Sequence, residues 1–146
     1  ENYDYVIIDC MPSLGMITIN ALTAADKVII PVQAHFLPAK GMTQLLKTIG
    51  RVQRNTNPNL RISGILLTLV DSRTNLAKEI KKTIQSSYGS KINMFKTEIP
   101  VAVSTAESPS QGESIFEYDP KSTVSEAYRK FAKEVLKNVE KEKYRT

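Results

Sequence analysis

Short apolar runs alternate with longer segments of helical periodicity along this 146-residue chain. The runs, several of them rich in β-branched residues, lie at residues 5–8, 27–32, 61–70 and 92–99. The helical segments lie at residues 13–25, 39–55, 75–88 and 122–143. Because the runs are apolar on both faces, they fit strands of a parallel sheet. The sequence therefore predicts an α/β fold, a mostly parallel sheet covered by helices on both faces, in a single domain spanning residues 1–146.

Composition narrows the classes of function. Apolar residues make up 41% of the chain and charged residues 24%, which fits a folded domain rather than a disordered segment. The net charge of +5 permits a nucleic-acid partner without requiring one, because the lysines are scattered. One cysteine and one histidine exclude a disulfide framework and a Cys-based or His-rich metal centre. With no apolar run of about 20 residues and no signal-peptide pattern, we expect a cytoplasmic protein without a membrane partner.

Local signals mark the ends of several helices. Ser13 is a candidate N-cap, and Gly89 takes the position in which glycine commonly ends a helix. Residues 104–112 are polar and rich in Gly, Pro and Ser, which predicts a loop or a short helical turn. The last helix carries an apolar stripe that includes Val124 and Phe131, and we expect this stripe to cover the sheet.

The carboxyl ends of the strands are where ligands bind in sheets of this kind. Asp9 stands at the end of the first run, where a carboxylate can hold Mg²⁺, often through water, beside a nucleotide phosphate. The same residue could equally cap a turn or a helix. Ser13 and Gly15 follow in a turn that could approach a phosphate, which favours the functional interpretation. Cys10 has no base near it in the sequence and is predicted to be a small buried residue.

Residues 4–15 read D-Y-V-I-I-D-C-M-P-S-L-G. This segment resembles D-Y-I-I-I-D-C-P-P-S-L-G of the ParA/Soj partition ATPases, in the deviant-Walker P-loop class that also contains the MinD septum-site ATPases. The likeness continues, in order and with similar gaps, at residues 18–26, 30–33, 67–75, 99–100 and 118–122.

The resemblance implies an ATPase that dimerises around two ATP molecules, binds DNA non-specifically and is stimulated by a ParB-type partner in chromosome or plasmid partition. It assigns Asp9 to the Walker-B-type position near Mg²⁺. The residues that it assigns to the second switch beside the γ-phosphate are Pro12, Ser13 and Gly15. Thr68 and Pro100 fall where family members line the adenine pocket, and Arg73 matches a basic residue used on DNA phosphates.

Two departures from the family pattern bear on activity. The family's P-loop, K-G-G-x-x-K-[ST], does not occur in this chain. Without its backbone amides and lysines the phosphates lack a cradle. With no initiator Met at Glu1, we expect a C-terminal portion of a longer protein, inactive by itself and without bound ATP or Mg²⁺. The family's two DNA-contacting arginines are also replaced, by Val101 and Ser104.

A candidate DNA surface remains. A helix that starts after a strand end can present Arg73, Lys78 and Lys82 together, although a solvated polar face is the simpler interpretation of such clusters. Two alternatives to a partition ATPase stay open. One is a non-enzymatic DNA- or partner-binding module derived from the family, and the other is a relative with another cargo, such as septum placement.

Overall fold

The computed structural model describes residues 2–11, 13–35 and 39–143. Its helices and strands are α1 (Met16–Ala24), β1 (Lys27–Gln33), α2 (Ala39–Asn55), β2 (Arg61–Thr68), α3 (Asn75–Tyr88), α4 (Val103–Glu107), a 3₁₀ turn (Ser108–Gln111), α5 (Ile115–Tyr118) and α6 (Thr123–Lys143). The chain divides into two compact units, one of residues 1–28 and 38–62 and one of residues 29–37 and 63–146.

Strands β1 and β2 pair in parallel. The Arg61 N–H donates to the Asp26 carbonyl at 3.0 Å, and the Ala34 N–H donates to the Thr68 carbonyl at 2.9 Å. Partner numbers that rise together along both strands are the mark of a parallel pair. The segment 93–101 also runs parallel to β2, with bridges from Ile65 to Met94 and from Val70 to Pro100. The structure is thus an α/β fold with a parallel sheet flanked by helices, as predicted.

The segment 93–101 is irregular, so the strand predicted at residues 92–99 is only partly confirmed. The Ile65 N–H donates to the Asn93 carbonyl at 2.9 Å, and the Phe95 N–H donates to the Ile65 carbonyl at 3.0 Å. The next bond runs from the Ile99 N–H to the Leu67 carbonyl, at 2.9 Å. Two steps along β2, from Ile65 to Leu67, are therefore matched by four steps along its partner, from Phe95 to Ile99, which leaves residues 96–98 outside the ladder. Such a bulge prevents a regular strand.

The second unit has a core that joins α6 to the sheet. This core consists of Leu66, Phe95, Ile99, Val124 and Ala127. The rings of Phe95 and Phe131 meet edge to face, with centroids 5.0 Å apart and an interplanar angle of 86°. The predicted apolar stripe of the last helix is confirmed in this contact.

The first unit is built on the contact between α1 and α2, whose buried residues include Leu22, Ile49 and Val52. The hydroxyls of Thr23 and Thr56 lie 3.0 Å apart. The Nδ2 of Asn57 donates to the carbonyls of Leu22 and Ala25, at 3.1 and 2.7 Å. Since the last carbonyls of a helix have no partner within it, Asn57 supplies the donors that α1 lacks.

Several predicted boundaries are confirmed and one cap is wrong. Helices α2 and α3 begin and end where predicted, and Gly89 is the C-cap of α3. Residues 103–111 form two short helical turns. Helix α1 begins at Met16 rather than Ser13, and its N-cap is Gly15.

Within the described ranges, no helix has the length and apolar character needed to cross a membrane.

The strand predicted at residues 5–8 is wrong. Val6 and Ile7 are 80% and 92% exposed, and within the described part of the chain no backbone hydrogen bond joins residues 2–10 to another strand. β-branched residues favour a pleated, half-buried surface. A strand, however, forms only where a neighbouring strand supplies hydrogen-bond partners. Cys10 is exposed as well, which corrects the prediction of a buried side chain.

Candidate functional site

Asp9 is an exposed residue in the segment that precedes α1. Its carboxylate makes no hydrogen bond and no ion pair with any other described residue. After it the chain turns, because the Ser13 N–H donates to the Met11 carbonyl at 2.7 Å. The Thr18 hydroxyl then donates to the Ser13 carbonyl at 2.5 Å and ties the turn to the first turn of α1.

The N-terminus of α1 is open. Gly15, the N-cap, has an extended backbone with φ −78° and ψ −176°, and no side chain caps the helix. The first N–H groups of a helix lack partners inside it and attract anions. Ser13 and Gly15 are exposed beside this end. Pro12, the other residue assigned to the switch, lies outside the described residues.

This arrangement fits magnesium and phosphate in two respects. An exposed carboxylate is a suitable oxygen ligand for Mg²⁺, which usually keeps several waters and takes its other ligands from phosphates. The uncapped helix end suits a phosphate oxygen. Asp9 and the first amides of α1 are therefore groups that could hold a metal and a phosphate. Across the described residues, no three His, Cys, Asp or Glu side chains gather into a metal-binding group.

Thr68 and Pro100 lie in the second unit, near the carboxyl ends of two neighbouring parallel segments. Thr68 is the last residue of β2. Two residues later, the Val70 N–H donates to the Ile99 carbonyl at 3.0 Å. Leu69, between them, has a φ of 51°, a left-handed conformation uncommon for a residue other than glycine. The sheet thus brings Thr68 and Pro100 to the same edge.

An open cleft of about 460 Å³ lies at that edge. Pro100 lines it together with Val70 and Ser72, whereas Thr68 is not among its lining residues. Four side chains with opposite charges also line the cleft: Lys96, Glu98, Glu126 and Lys130. Of the two residues predicted to line an adenine pocket, Pro100 borders this cleft and Thr68 does not.

Arg73 lies in the turn before α3, with 88% of its side chain exposed. It is held by Asp71, since Nε donates to Oδ1 and Nη2 donates to Oδ2, each at 2.9 Å. The hydrogen bond from Arg73 is the main reason that the pKa of Asp71 falls to about 2. The same hydrogen bond raises the pKa of Arg73. The sequence prediction does not include Asp71 as a partner of Arg73. Its position two residues before Arg73, across a turn, is the feature that could have indicated this ion pair.

Lys78 and Lys82 are exposed and one helical turn apart on α3, so they share a face. Neither makes an ion pair with a described residue, whereas their neighbour Lys81 is paired with Glu98. Thr74 caps the helix by accepting a hydrogen bond from the Ala77 N–H at 3.2 Å, which orders the turn that carries Arg73. The three predicted basic residues therefore belong to one turn and the helix that follows it.

Comparison with known proteins identifies relatives of this chain. A family model described as "AAA domain" matches residues 1–62. The sporulation initiation inhibitor protein Soj of Bacillus subtilis is 48% identical over 138 residues, which is 94% of this chain and 54% of that protein. The chromosome partitioning protein ParA of Caulobacter vibrioides is 43% identical over 134 residues, 92% of this chain and 49% of that protein. The chromosome-partitioning ATPase Soj of Thermus thermophilus is 42% identical over 140 residues, 96% of this chain and 55% of that protein.

Solved structures share the fold of this chain. The cobyrinic acid a,c-diamide synthase of Mycobacterium smegmatis with bound ADP and magnesium is 37% identical to the chain, with a TM-score of 0.77. The match covers 95% of this chain and 49% of that one. The same enzyme with a bound ATP analog and magnesium gives the same values. The chain spans about half the length of the curated relatives it matches. In sequence it is related to the Soj and ParA chromosome-partitioning proteins, and it shares its fold with a nucleotide-binding enzyme.

Proposed function

We propose that this chain is the C-terminal portion of a ParA/Soj-type ATPase that separates chromosomes or plasmids. One observation carries the proposal: identity of 42–48% to Soj and ParA proteins extends over more than nine-tenths of the chain. That span includes the Asp9 turn, the end of β2 and the start of α3. The relatives are about twice as long, so the activity of the whole protein would depend on parts beyond this chain.

In this proposal Asp9 holds Mg²⁺ through water, and Ser13 and Gly15, with Pro12, form the switch beside the γ-phosphate. The metal, when bound, neutralises charge on the phosphate oxygens. The solvent-facing Asp9 carboxylate and the uncapped N-terminus of α1 support this assignment. Both groups can respond to a phosphate because neither is engaged by another described side chain.

Thr68 and Pro100 are proposed to border the adenine base. Their support is their common position at one edge of the sheet and the cleft of about 460 Å³ that Pro100 lines. A base in a shallow cleft is held by apolar contact and by backbone polar groups. This chain offers both kinds of group there, in Val70 and in the backbone that follows β2.

Arg73, Lys78 and Lys82 are proposed to contact DNA phosphates without reading sequence. Their support is their exposure and their shared location on one turn and one helix. Val101 and Ser104 stand where the family carries further arginines, so DNA binding would rely more heavily on α3. Each phosphate contact adds about one unit to the salt dependence of binding.

The remaining parts of the proposal concern assembly and location. The protein would dimerise with ATP, receive stimulation from a ParB-type partner and act in the cytoplasm on the nucleoid. These statements follow from family membership alone. A direct test of the nucleotide site therefore comes first.

The test is ATP-dependent dimerisation of the natural full-length protein, measured by sedimentation in ATP and Mg²⁺. Asp9→Asn should abolish the ATP-induced dimer. Asp4→Asn is the matched control, because Asp4 is an exposed acid in the same segment, and it should leave dimerisation intact. If Asp9→Asn dimerises and hydrolyses ATP normally, the assignment of Asp9 is wrong.

A second candidate function is a non-enzymatic DNA- or partner-binding module. It is favoured by the absence of K-G-G-x-x-K-[ST] from the chain. Calorimetry on the 146-residue chain with Mg-ATP separates the two candidates. Heat from micromolar binding would contradict the module, whereas no binding together with salt-sensitive retention on DNA would support it.

A further inference from the structure

The side chain of Arg73 is occupied by a neighbour of the same turn. Asp71 accepts three hydrogen bonds from this one residue: from the Arg73 main-chain N–H at 3.1 Å, from Nε at 2.9 Å and from Nη2 at 2.9 Å. The contact between the two charged groups is bidentate. It uses the Nε–Nη2 edge of the guanidinium, which is one of the edges that binds a phosphate in the same two-pronged way.

Two consequences follow for a phosphate that approaches Arg73. While the pair is closed, that edge of the guanidinium has no donor to offer, and the charges of the two side chains cancel locally. A phosphate can reach the edge only by displacing the carboxylate. The exposures favour such an exchange, since the Arg73 side chain is 88% exposed and the Asp71 side chain is 26% exposed.

We propose that Asp71 competes with DNA phosphate for Arg73 and so sets the DNA affinity of this surface. The proposal rests on the proposed role of Arg73 in DNA binding and adds a residue that opposes it. Asp71 keeps Arg73 closed in the absence of DNA. A backbone phosphate at short range then replaces the carboxylate as the partner of the guanidinium.

The turn has supports that do not depend on the Asp71 charge. The Thr74 N–H donates to the Asp71 carbonyl at 3.1 Å, and the Thr74 hydroxyl donates to the same carbonyl at 2.9 Å. In Asp71→Asn, the amide oxygen can still accept the Arg73 main-chain N–H. The substitution therefore removes the charge and the second acceptor while the turn is retained.

The experiment is a DNA titration of the natural full-length protein in ATP and Mg²⁺, with a duplex of arbitrary sequence at several salt concentrations. Asp71→Asn should raise affinity about two- to fivefold, the range expected for freeing one exposed ion pair. Glu79→Gln is the matched control, because Glu79 is an exposed acid on α3 with no side-chain contact to Arg73.

The double variant separates competition from a general gain of positive charge. If Asp71 acts through Arg73, then Asp71→Asn in an Arg73→Ala background should raise affinity no more than Glu79→Gln does. Equal gains from Asp71→Asn and Glu79→Gln in the parent protein would overturn the competition. If Arg73→Ala binds DNA as tightly as the parent, the proposed DNA role of Arg73 fails instead, and the two failures are distinguishable.

A measurement without DNA checks the pair itself. The Nε–H proton of Arg73, followed by NMR, should exchange with solvent several-fold faster in Asp71→Asn than in the parent or in Glu79→Gln. Unchanged exchange in Asp71→Asn would show that the pair does not hold Arg73 in solution, and would overturn the proposal.

Discussion

The carboxylate of Glu134 on α6 accepts hydrogen bonds from Thr97, which lies 37 residues earlier in the chain. Its Oε2 receives the Thr97 N–H at 3.0 Å and the Thr97 hydroxyl at 2.8 Å, and its Oε1 receives the Lys96 N–H at 2.8 Å. Residues 96 and 97 are in the bulge, where no ladder partner is present. Glu134 therefore satisfies main-chain donors that the sheet leaves unpaired, and fixes the segment that leads to Pro100.

Glu134→Gln should destabilise the fold by roughly 1–2 kcal/mol, since one carboxylate oxygen is replaced by an amide donor that faces another donor. Denaturant unfolding followed by circular dichroism measures the change. Hydrogen exchange should speed up most at the Lys96 and Thr97 amides. Glu140→Gln, an exposed acid on the same helix, is the control and should fall within about 0.5 kcal/mol of the parent. An equal effect of both variants would contradict the role of Glu134.

The same carboxylate should make stability depend on pH. Burial alone would raise the pKa of Glu134, but the hydrogen bonds from the Lys96 and Thr97 N–H groups outweigh it, and the pKa lies below 4.5. A carboxyl whose pKa is lowered in the folded state stabilises the fold at pH values above its ordinary pKa. This stabilisation is lost as the pH falls through the folded-state pKa. The difference in unfolding free energy between the parent and Glu134→Gln should therefore shrink below about pH 4.5. A constant difference from pH 7 to pH 3 would refute this linkage.

Gly64, in β2, lies against the segment that carries the bulge. A Cβ at this position would come within 2.8 Å of the Asn93 carbonyl oxygen and 3.0 Å of a Phe95 ring carbon. Gly64→Ala should therefore cost roughly 1–3 kcal/mol through overpacking of a buried strand. Gly41→Ala is the control and should change the free energy of unfolding in the opposite direction, because nothing lies within 4 Å of a Cβ there. Removing a glycine from a helix should stabilise α2 by up to about 1 kcal/mol. Similar midpoints for the two variants in thermal unfolding would contradict the close approach at Gly64.

The main helices and β1 were predictable because a single local pattern specifies each of them. In α3, the buried residues Ala77, Ile80 and Ile84 recur at helical spacing, and Gly89 marks the end. Residues 5–8 show the limit of this reasoning. Their composition predicts a strand, but pairing depends on a neighbour that no local pattern encodes.

The candidate site divides in the same way. Asp9 and Gly15 could be chosen as candidates because a carboxylate and a glycine follow an apolar run at short spacing, and their role stays a prediction. Glu134 could not be found, because its partners are 37 residues away and its own surroundings in the sequence are those of an ordinary exposed helix. The bulge that creates the need for Glu134 arises from the register between two segments, which only the folded structure specifies.

Asn57 offers a further test at the end of α1. Its Nδ2 donates to the carbonyls of Leu22 and Ala25, at 3.1 and 2.7 Å. Asn57→Asp keeps the size of the side chain but replaces the donor with a charged acceptor that faces two carbonyl oxygens. The variant should lose roughly 1–3 kcal/mol at neutral pH.

The loss in Asn57→Asp should diminish in acid. The new carboxyl would have a raised pKa in the folded state, because its charged form is repelled by the carbonyls, so the destabilisation grows as pH rises through the unfolded-state value near 3.9. Below that value the protonated group can donate one hydrogen bond again. Asn59→Asp is the control, since Asn59 is exposed in the same turn and makes no hydrogen bond with a described residue. Urea unfolding at pH 3 and pH 7 measures the stability of both variants. An equal loss of stability for Asn57→Asp at the two pH values would show that its carboxyl does not face the carbonyls of Leu22 and Ala25.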